Sequence, residues 1–221
     1  MIPRSALAAG VMRHAERGPL PRGEHGNEVL LTEQGERDAL AAGRLMKGRI
    51  SRLLHSPAPR CLQTAENLRR GSGDETEIAE WTGLRCDVYV PDISAAEPTL
   101  LRLTSEKGFY DAFINRMSQC GDNIPYPHFA PPFAGAVNLV RGILGGETGG
   151  LCIGVTHDWL VNIAAAYATG KAASRADGDY ADYLDALFVW ESGDRWKFYH
   201  KGRTGECPRS FAKYFIRTSR R

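Results

Sequence analysis

The chain has 221 residues, 43% of them hydrophobic, with 28 Lys and Arg against 26 Asp and Glu. This length can bury one substantial core, and the composition excludes a largely disordered protein. The formal net charge of +2 gives no indication of a nucleic-acid or anionic-membrane partner. Because the sequence contains neither a signal peptide nor an apolar stretch of about 18 residues, we expect a cytoplasmic protein without a membrane-spanning helix.

Five cysteines are scattered along the chain and never occur as Cys-x-x-Cys: Cys61, Cys86, Cys120, Cys152 and Cys207. An odd number of widely spaced cysteines is typical of a protein from a reducing compartment. The spacing therefore argues against a disulfide framework and against a structural zinc site.

The first 70 residues alternate short apolar runs with amphipathic segments. A short apolar run predicts a buried strand, and apolar residues three and four positions apart predict a helix. Thr32 is a suitable N-cap, and Pro59 suits the first position of a helix. In chain order we predict a strand at Ala6–Met12, a loop at residues 18–26, a helix from Thr32 to about Lys47, a strand at Ile50–His55 and a helix from about Arg60 to Arg70.

Residues 75–133 break this alternation. Six prolines lie between positions 91 and 132, and only Gly108–Ser118 has helical periodicity. We predict one domain over residues 1–221 with a small, irregular cap insertion at about 75–133. Aromatic residues in such an insertion more often form its own core than contact a ligand; here they are Trp81, Tyr89, Phe109, Tyr110, Phe113, Tyr126, Phe129 and Phe133.

The alternation resumes after the insertion. We predict a helix at Ala134–Leu144, a strand at Leu151–Thr156, a helix from 158 to about Tyr167, and a hairpin of Leu184–Trp190 with Trp196–His200. Alternating strands and helices indicate an α/β fold with a largely parallel sheet. The hairpin could lie at the sheet edge and pair with a second subunit to form a homodimer, or be covered by Phe211–Ile216.

Arg13, His14 and Arg17 follow the first predicted strand directly. They concentrate positive charge with only Glu16 to balance it locally. This pattern suits a bound anion, since guanidinium groups match the oxygens of phosphate. A surface-exposed basic loop is the alternative for an isolated Arg-His pair.

Arg60 and the pair His157-Asp158 also follow predicted strands. The functional crevice of such a sheet lies beyond the carboxyl ends of its strands, so these residues are candidates for the same site. Arg60 begins a helix, where backbone N–H groups can also bind an anion. Asp158 could instead be only an N-cap, and His157 a half-buried structural histidine.

Taken together, these segments resemble the histidine phosphatase superfamily. Residues 13–19 are similar to the Arg-His-Gly-x-Arg-x-Pro signature of its acid-phosphatase and phytase branch, with Ala15 where that signature has Gly. His157-Asp158 is similar to the His-Asp motif of the same branch. Residues 31–35 and 56–65 resemble segments shared with the phosphoglycerate-mutase-like branch. The resemblance covers most of the chain and implies a three-layer sandwich, in which helices flank a largely parallel central sheet.

The resemblance also implies a reaction that needs neither metal nor cofactor. His14 is the implied nucleophile, and it would form a phosphohistidine that water then hydrolyses. The implied ligands of the phosphoryl oxygens are Arg13, Arg17, Arg60 and a protonated His157. Asp158 is the implied general acid, with Glu16 and Glu97 as alternatives. Glu16 and His25 are further candidates for substrate contact.

Several functions remain open at this stage. The first is a hydrolase, which would act on a small-molecule phosphate ester or, as a further possibility, on protein phosphohistidine. The others are phosphoglycerate-mutase-like phosphoryl transfer and a non-catalytic phosphate-binding scaffold. On the resemblance alone, the aspartate directly after His157 favours a hydrolase over a mutase.

Overall fold

The computed structural model describes residues 2–21 and 26–209, and its strands and helices are counted within these residues. Seven strands form one sheet: β1 (Ala8–Arg13), β2 (Ile50–His55), β3 (Ile78–Glu80), β4 (Leu151–Thr156), β5 (Ala186–Ser192), β6 (Arg195–His200) and β7 (Arg203–Pro208). The helices are α1 (Glu33–Leu45), α2 (Pro59–Ser72), α3 (Ile93–Ser105), α4 (Phe109–Gln119), α5 (Pro132–Leu144) and α6 (Asp158–Thr169). A short 3-10 helix spans Thr82–Leu84.

The strand order is β3-β2-β4-β1-β5-β6-β7. The first four strands in this order run parallel, and β5, β6 and β7 continue the sheet as an antiparallel meander. Strand β4 lies between β1 and β2, with Arg13 opposite Thr156 and His55 opposite Val155. The carboxyl ends of these three strands therefore lie side by side, and the residues that follow each of them meet at one edge of the sheet.

Helices cover both faces of the sheet. Alternate residues of β1 divide between two buried clusters, since Ala9 and Val11 belong to one and Ala8 and Met12 to the other. Buried side chains of α5 and α6 pack in the first cluster, and those of α2 pack in the second. The predicted three-layer α/β architecture is confirmed.

Helices α1 and α2 approach each other unusually closely. A Cβ atom added at Gly43 would lie 2.2 Å from the carbonyl oxygen of Leu68, and one added at Gly71 would lie 2.1 Å from that of Leu40. Only glycine permits this contact between two backbones. Thr32 caps α1 by accepting a hydrogen bond from the N–H of Gly35 at 3.0 Å, and Pro59 occupies the first position of α2, as predicted.

The segment 75–133 is more regular than expected. Its beginning supplies β3, the outer strand beside β2, and the predicted helix near residues 108–118 is confirmed as α4. The expectation of an irregular segment was wrong at α3, which accommodates Pro98 in its interior. The side chain of Asp92 caps α3 by accepting the N–H of Ala95 at 3.0 Å, which helps to fix the helix despite the proline.

The predicted hairpin of β5 and β6 is confirmed, but it does not lie at the sheet edge, which was one of the two arrangements that the sequence left open. Strand β7, which the sequence did not predict, pairs antiparallel with β6. Its sequence RTGECP is polar, and only Cys207 is buried, so it has no apolar alternation to reveal it. Residues 211–216, the cover in the other arrangement, lie outside the described residues. Within the described residues, no helix is long and apolar enough to cross a membrane.

Candidate active site

The residues after β1, β2 and β4 are held together by backbone hydrogen bonds. The N–H of His14 donates to the carbonyl oxygen of Thr156, and that of Ser56 donates to the carbonyl oxygen of Val155, both at 2.9 Å. The sheet therefore brings His14, Ser56 and His157 to one place. The backbone position of His14 is therefore fixed by hydrogen bonding to the adjacent strand β4.

His14 is 3% exposed and its tautomer is fixed by its neighbours. Its Nδ1 lies 2.8 Å from the carbonyl oxygen of Ala15, which can only accept, so Nδ1 carries the proton. The lone pair is therefore on Nε2, where it accepts the Nε–H of Arg60 at 3.2 Å. An imidazole in this state can act as a nucleophile through Nε2.

Ala15, which replaces the glycine of the signature, is accommodated in the core. Its side chain is fully buried, and its N–H donates to the hydroxyl of Thr64 in α2 at 3.0 Å. The Thr64 hydroxyl in turn donates to the carbonyl oxygen of Arg60 at 2.7 Å. Position 15 therefore links β1 to the first turn of α2.

Arg60 connects both histidines of the site. Besides its bond to His14, its Nη2 donates to Nδ1 of His157 at 3.3 Å, and its Nη1 donates to the carbonyl oxygen of Gly26 at 2.7 Å. Burial lowers the pKa of Arg60, and Arg17 lowers it further. The guanidinium remains charged, because a lowered arginine pKa still lies far above neutral pH.

His157 is the N-cap residue of α6, and its imidazole is held at both nitrogens. Since Nδ1 accepts from Arg60, Nε2 carries the proton and donates to the Ser56 hydroxyl at 3.0 Å. Burial, Arg60, Arg17 and Arg13 lower the pKa of His157 to about 3. The expectation of a protonated His157 is therefore wrong for this structure, because three neighbouring guanidinium groups oppose a further positive charge.

The same causes keep His14 neutral. Burial, together with His157, Arg60 and Arg13, holds the pKa of His14 well below its ordinary value. The ring centroids of His14 and His157 lie 5.7 Å apart. The two imidazoles thus form an uncharged pair next to the guanidinium groups of Arg13, Arg17 and Arg60.

Arg13 and Arg17 complete the cationic group. Nη1 of Arg13 donates to the carbonyl oxygen of Ala181 at 2.8 Å, and its Nη2 lies 3.4 Å from Oδ2 of Asp158. Nε of Arg13 is buried and has no hydrogen-bond partner among the described residues. Arg17 donates to the carbonyl oxygen of Gly18 at 2.8 Å. A buried, unpaired N–H beside other cations is a donor available to an anion.

The three candidates for the general acid lie in different places. Asp158 is the first residue of α6, and its Oδ1 accepts the N–H of Trp159 at 2.8 Å. Glu97 lies on α3, and both it and Asp158 line the same cleft as His14. Glu16 is not among the residues that line this cleft, and its carboxylate accepts a hydrogen bond from the Thr32 hydroxyl at 3.0 Å.

The cleft that contains the cationic residues has a volume of about 770 Å³. We call Arg13, His14, Arg17, Arg60 and His157 its phosphate end. Helix α3 lines another part of the cleft with three aliphatic residues, one carboxylate and two hydroxyl groups, which we call the α3 side: Ile93, Ser94, Glu97, Leu100, Leu103 and Thr104.

The aromatic residues of 75–133 mostly pack in the core, as expected. Phe113 and Phe129 are buried with ring centroids 5.8 Å apart, and Phe113 also contacts the Trp159 ring at 5.6 Å. Tyr110 is the exception, because it lines the cleft. Burial and the nearby Asp158 carboxylate raise the pKa of Tyr110 well above its ordinary value, so its hydroxyl stays protonated.

Sequence reasoning did not identify the roles of several residues at this site. Ser56 and Thr64 lie in the segment 56–65, but only their hydrogen bonds to His157 and Ala15 reveal what they do. Tyr183 lies outside every predicted motif, yet its ring lies 4.2 Å from Cζ of Arg13. His25, predicted as a substrate contact, lies outside the described residues. Among the described residues, no group of three or more His, Cys, Asp or Glu side chains could hold a metal ion.

A family comparison supports the resemblance seen in the sequence. The model of the histidine phosphatase superfamily (branch 1) matches residues 11–86, which include Arg13, His14, Arg17 and Arg60. This match supports membership of the histidine phosphatase superfamily. The more specific resemblance to the acid-phosphatase and phytase branch is not confirmed. A match of this family model to the residues of the site favours a phosphatase or another phosphoryl-transfer activity. No curated protein matches the sequence significantly.

Solved structures share the fold at low sequence identity. Bacillus stearothermophilus YhfR is 17% identical with a TM-score of 0.60, over 90% of this chain and 98% of its own. The mycobacterial glucosyl-3-phosphoglycerate phosphatase is 16% identical with a TM-score of 0.57, over 89% of this chain and 98% of its own. At these identities the similarity shows a shared fold and nothing about the activity or the substrate.

Proposed function

We propose that this protein is a metal-independent phosphomonoesterase that hydrolyses a small-molecule phosphate ester through a phosphohistidine at His14. The observation that carries the proposal is the state of His14. Its Nε2 lone pair is unprotonated and lies within a buried cationic group that opens into a cleft. A neutral nucleophile surrounded by fixed donors suits attack on phosphorus.

In the first step, Nε2 of His14 attacks the phosphorus atom in line with the ester oxygen. The N–P bond forms as the P–O bond breaks, and the leaving alkoxide takes a proton from a carboxylic acid. In the second step, water attacks the phosphorus atom and gives its proton to the same carboxylate. The N–P bond then breaks and inorganic phosphate leaves, so the enzyme returns to its starting state.

The phosphate end stabilises the charge that develops on the non-bridging oxygens. Arg13, Arg17 and Arg60 supply N–H donors whose positions are set by backbone carbonyls. The Nε–H of Arg60, which now donates to His14, can donate to a phosphoryl oxygen when Nε2 turns to phosphorus. The charge of a bound phosphoryl group opposes the effect of the arginines and would raise the pKa of His157.

Asp158 is the better candidate for the general acid. It lies at the phosphate end of the cleft, with Oδ2 3.4 Å from Nη2 of Arg13, a predicted phosphate ligand. Glu97 lines the cleft from α3 and is the alternative. The two assignments place the acid on different helices, Asp158 on α6 and Glu97 on α3.

The remainder of the cleft supports a substrate with a bulky, partly apolar leaving group. A phosphoryl group alone would fill only a small part of about 770 Å³, and α3 contributes aliphatic side chains beyond it. The glucosyl-3-phosphoglycerate phosphatase of similar fold is named for a phosphorylated small molecule. We place the reaction in the cytoplasm, since all five cysteines are free thiols.

The test is hydrolysis of an aryl phosphate with excess EDTA by the wild-type protein, His14→Asn and His128→Asn. His128 provides a matched control because it is exposed, does not line the cleft and has a φ of 65°, which asparagine tolerates. We expect activity that survives EDTA, is lost by more than about 1,000-fold in His14→Asn and is unchanged in His128→Asn.

Three outcomes would contradict the proposal. Activity abolished by EDTA and restored by a divalent metal would show that the reaction needs a metal. Activity retained in His14→Asn would remove His14 as nucleophile. Release of an isomerised ester instead of inorganic phosphate would indicate a mutase.

A further inference from the structure

The turn Asp182–Asp185 and the residue before it hold Arg13 at three points. The carbonyl oxygen of Ala181 accepts Nη1 of Arg13 at 2.8 Å, and that of Asp185 accepts its backbone N–H at 2.9 Å. The ring of Tyr183 stacks on the guanidinium with its centroid 4.2 Å from Cζ. The position of this phosphate ligand therefore depends on a loop between α6 and β5.

The turn has an unfavourable backbone conformation. The N–H of Asp185 donates to the carbonyl oxygen of Asp182 at 3.0 Å, which closes a four-residue turn. Its third residue, Leu184, has a φ of 64°. This position normally takes glycine or asparagine, because a branched side chain disfavours the left-handed region. The turn therefore needs contacts from outside to hold its shape.

Lys201 supplies such contacts from the β6–β7 hairpin. Its Nζ lies 3.0 Å from the carbonyl oxygen of Tyr180 and 2.8 Å from a carboxylate oxygen of each of Asp182 and Asp185. One ammonium group thus ties the backbone of Tyr180 to both ends of the turn. The N–H of Asp182 also donates to the Asp185 carboxylate at 2.8 Å, which closes the network.

The backbone conformation at Lys201 is one that lysine rarely adopts, which indicates that the contacts of its side chain are needed at this position. Lys201 and Gly202 form the turn between β6 and β7, with φ values of 45° and 77°. A two-residue hairpin with both φ values positive favours asparagine or aspartate followed by glycine. Lysine at the first position is an exception, and the three contacts of its ammonium group account for it.

We propose that Lys201 is a positioning residue for the phosphate end, acting through the turn Asp182–Asp185 to fix the guanidinium of Arg13. This inference rests on the proposed function, since it gives Arg13 the role of a phosphoryl ligand. Burial alone would lower the pKa of Lys201, but its hydrogen bonds to Asp182 and Asp185 raise it, so the ammonium group is charged at neutral pH. The same turn also places Tyr183 beside the nucleophile, with its ring centroid 5.8 Å from that of His14.

The experiment measures the affinity for inorganic phosphate by calorimetry, and kcat and KM for an aryl phosphate, in four variants. Lys201→Met should weaken phosphate binding and lower kcat/KM by about 10-fold or more, because a displaced ligand loses its alignment. Lys201→Arg should restore most of the loss. Tyr183→Leu, which leaves the ion pairs intact, should weaken phosphate binding about 3-fold to 10-fold.

Lys171→Met is the matched control. Lys171 also contacts two aspartates, at 2.9 Å from Asp177 and 3.0 Å from Asp179, but it does not touch the turn. Its replacement removes the same charge and a similar number of ion pairs. We expect phosphate binding and kcat/KM to remain unchanged.

A double-mutant cycle separates positioning from general destabilisation. In an Arg13→Gln background, Lys201→Met should weaken phosphate binding by less than about 2-fold, because its effect passes through Arg13. An equal loss in both backgrounds, or equal binding by wild type and Lys201→Met, would overturn the role of Lys201 and leave the phosphatase proposal standing. Failure of the wild-type protein to bind phosphate would overturn both.

Discussion

The two parts of the cleft differ in how their side chains are held. At the phosphate end, Arg60 hydrogen bonds to both His14 and His157, and backbone carbonyls after β1 and in the loop at Gly26 accept further hydrogen bonds from His14 and Arg60. On the α3 side, aliphatic residues such as Leu103 face the same cleft from a helix beyond the sheet. The sheet therefore fixes the position of His14, whereas on the proposed function the α3 side would contact the leaving group from residues that can change without disturbing His14.

The largest effect on kcat should come from replacing the general acid. The two candidates for this role are Asp158 on α6 and Glu97 on α3. We expect Asp158→Asn to lower kcat for an alkyl phosphate by about 100-fold to 10,000-fold, the usual contribution of a general acid. An activated aryl phosphate, whose leaving group needs no proton, should lose much less. Steady-state kinetics with both substrates provides the measurement.

Glu97→Gln is the matched substitution on the α3 side. It should change kcat for either substrate only slightly. The opposite pattern, with a large loss confined to alkyl esters in Glu97→Gln and normal kinetics in Asp158→Asn, would transfer the role of acid to α3.

A smaller effect should follow from trimming the α3 side itself. Leu103→Ala removes apolar contact area from the cleft wall, so we expect KM for an ester with a large apolar leaving group to rise about 3-fold to 30-fold. The KM for an ester of a short polar alcohol should stay the same. This second substrate is the control for any effect of Leu103→Ala on folding. A parallel rise for both substrates would show that Leu103 acts on stability and not on the leaving group.

The smallest effect concerns stability against pH. The pKa of His157 is lowered to about 3 and that of His14 also lies well below its ordinary value, so each stays neutral while the unfolded chain takes up a proton as the pH falls through about 6.5. The free energy of unfolding should therefore decrease toward acidic pH, with a slope of up to about 1.4 kcal/mol per pH unit for each histidine.

Urea denaturation between about pH 7 and pH 5 measures this slope. His157→Asn should make it shallower, whereas His128→Asn, which changes an exposed histidine, should leave it unaltered. A slope that is the same in His157→Asn and wild type would mean that His157 is protonated in the folded protein.

The sequence predicted those elements whose signals are local. The apolar run Leu151–Thr156 located β4, the short segment Ile50–His55 located β2, and Thr32 and Pro59 marked the starts of α1 and α2. The positions of His14 and His157 at strand ends then followed from the rule that parallel strands present their carboxyl ends at one edge. The convergence of the main cationic residues was therefore predictable without the structure.

The features that the sequence did not predict lack a local pattern or depend on contacts between distant segments. Pro98 concealed α3 because proline normally ends a helix, and β7 lacks the apolar alternation of a strand. The neutral state of His157 results from three arginines at different points of the chain. The contacts of Lys201 join residues 16 to 21 positions apart, so no local pattern could reveal them.

The most direct test of the central claim is to identify the phosphorylated residue during turnover. The protein would be mixed with a phosphate ester labelled in its phosphoryl group, quenched in alkali within one turnover, and mapped by peptide mass spectrometry. We predict that the label lies on His14, is lost in acid, and is absent from His14→Asn. A turnover that completes without labelling His14, or a label on another residue, would contradict the account.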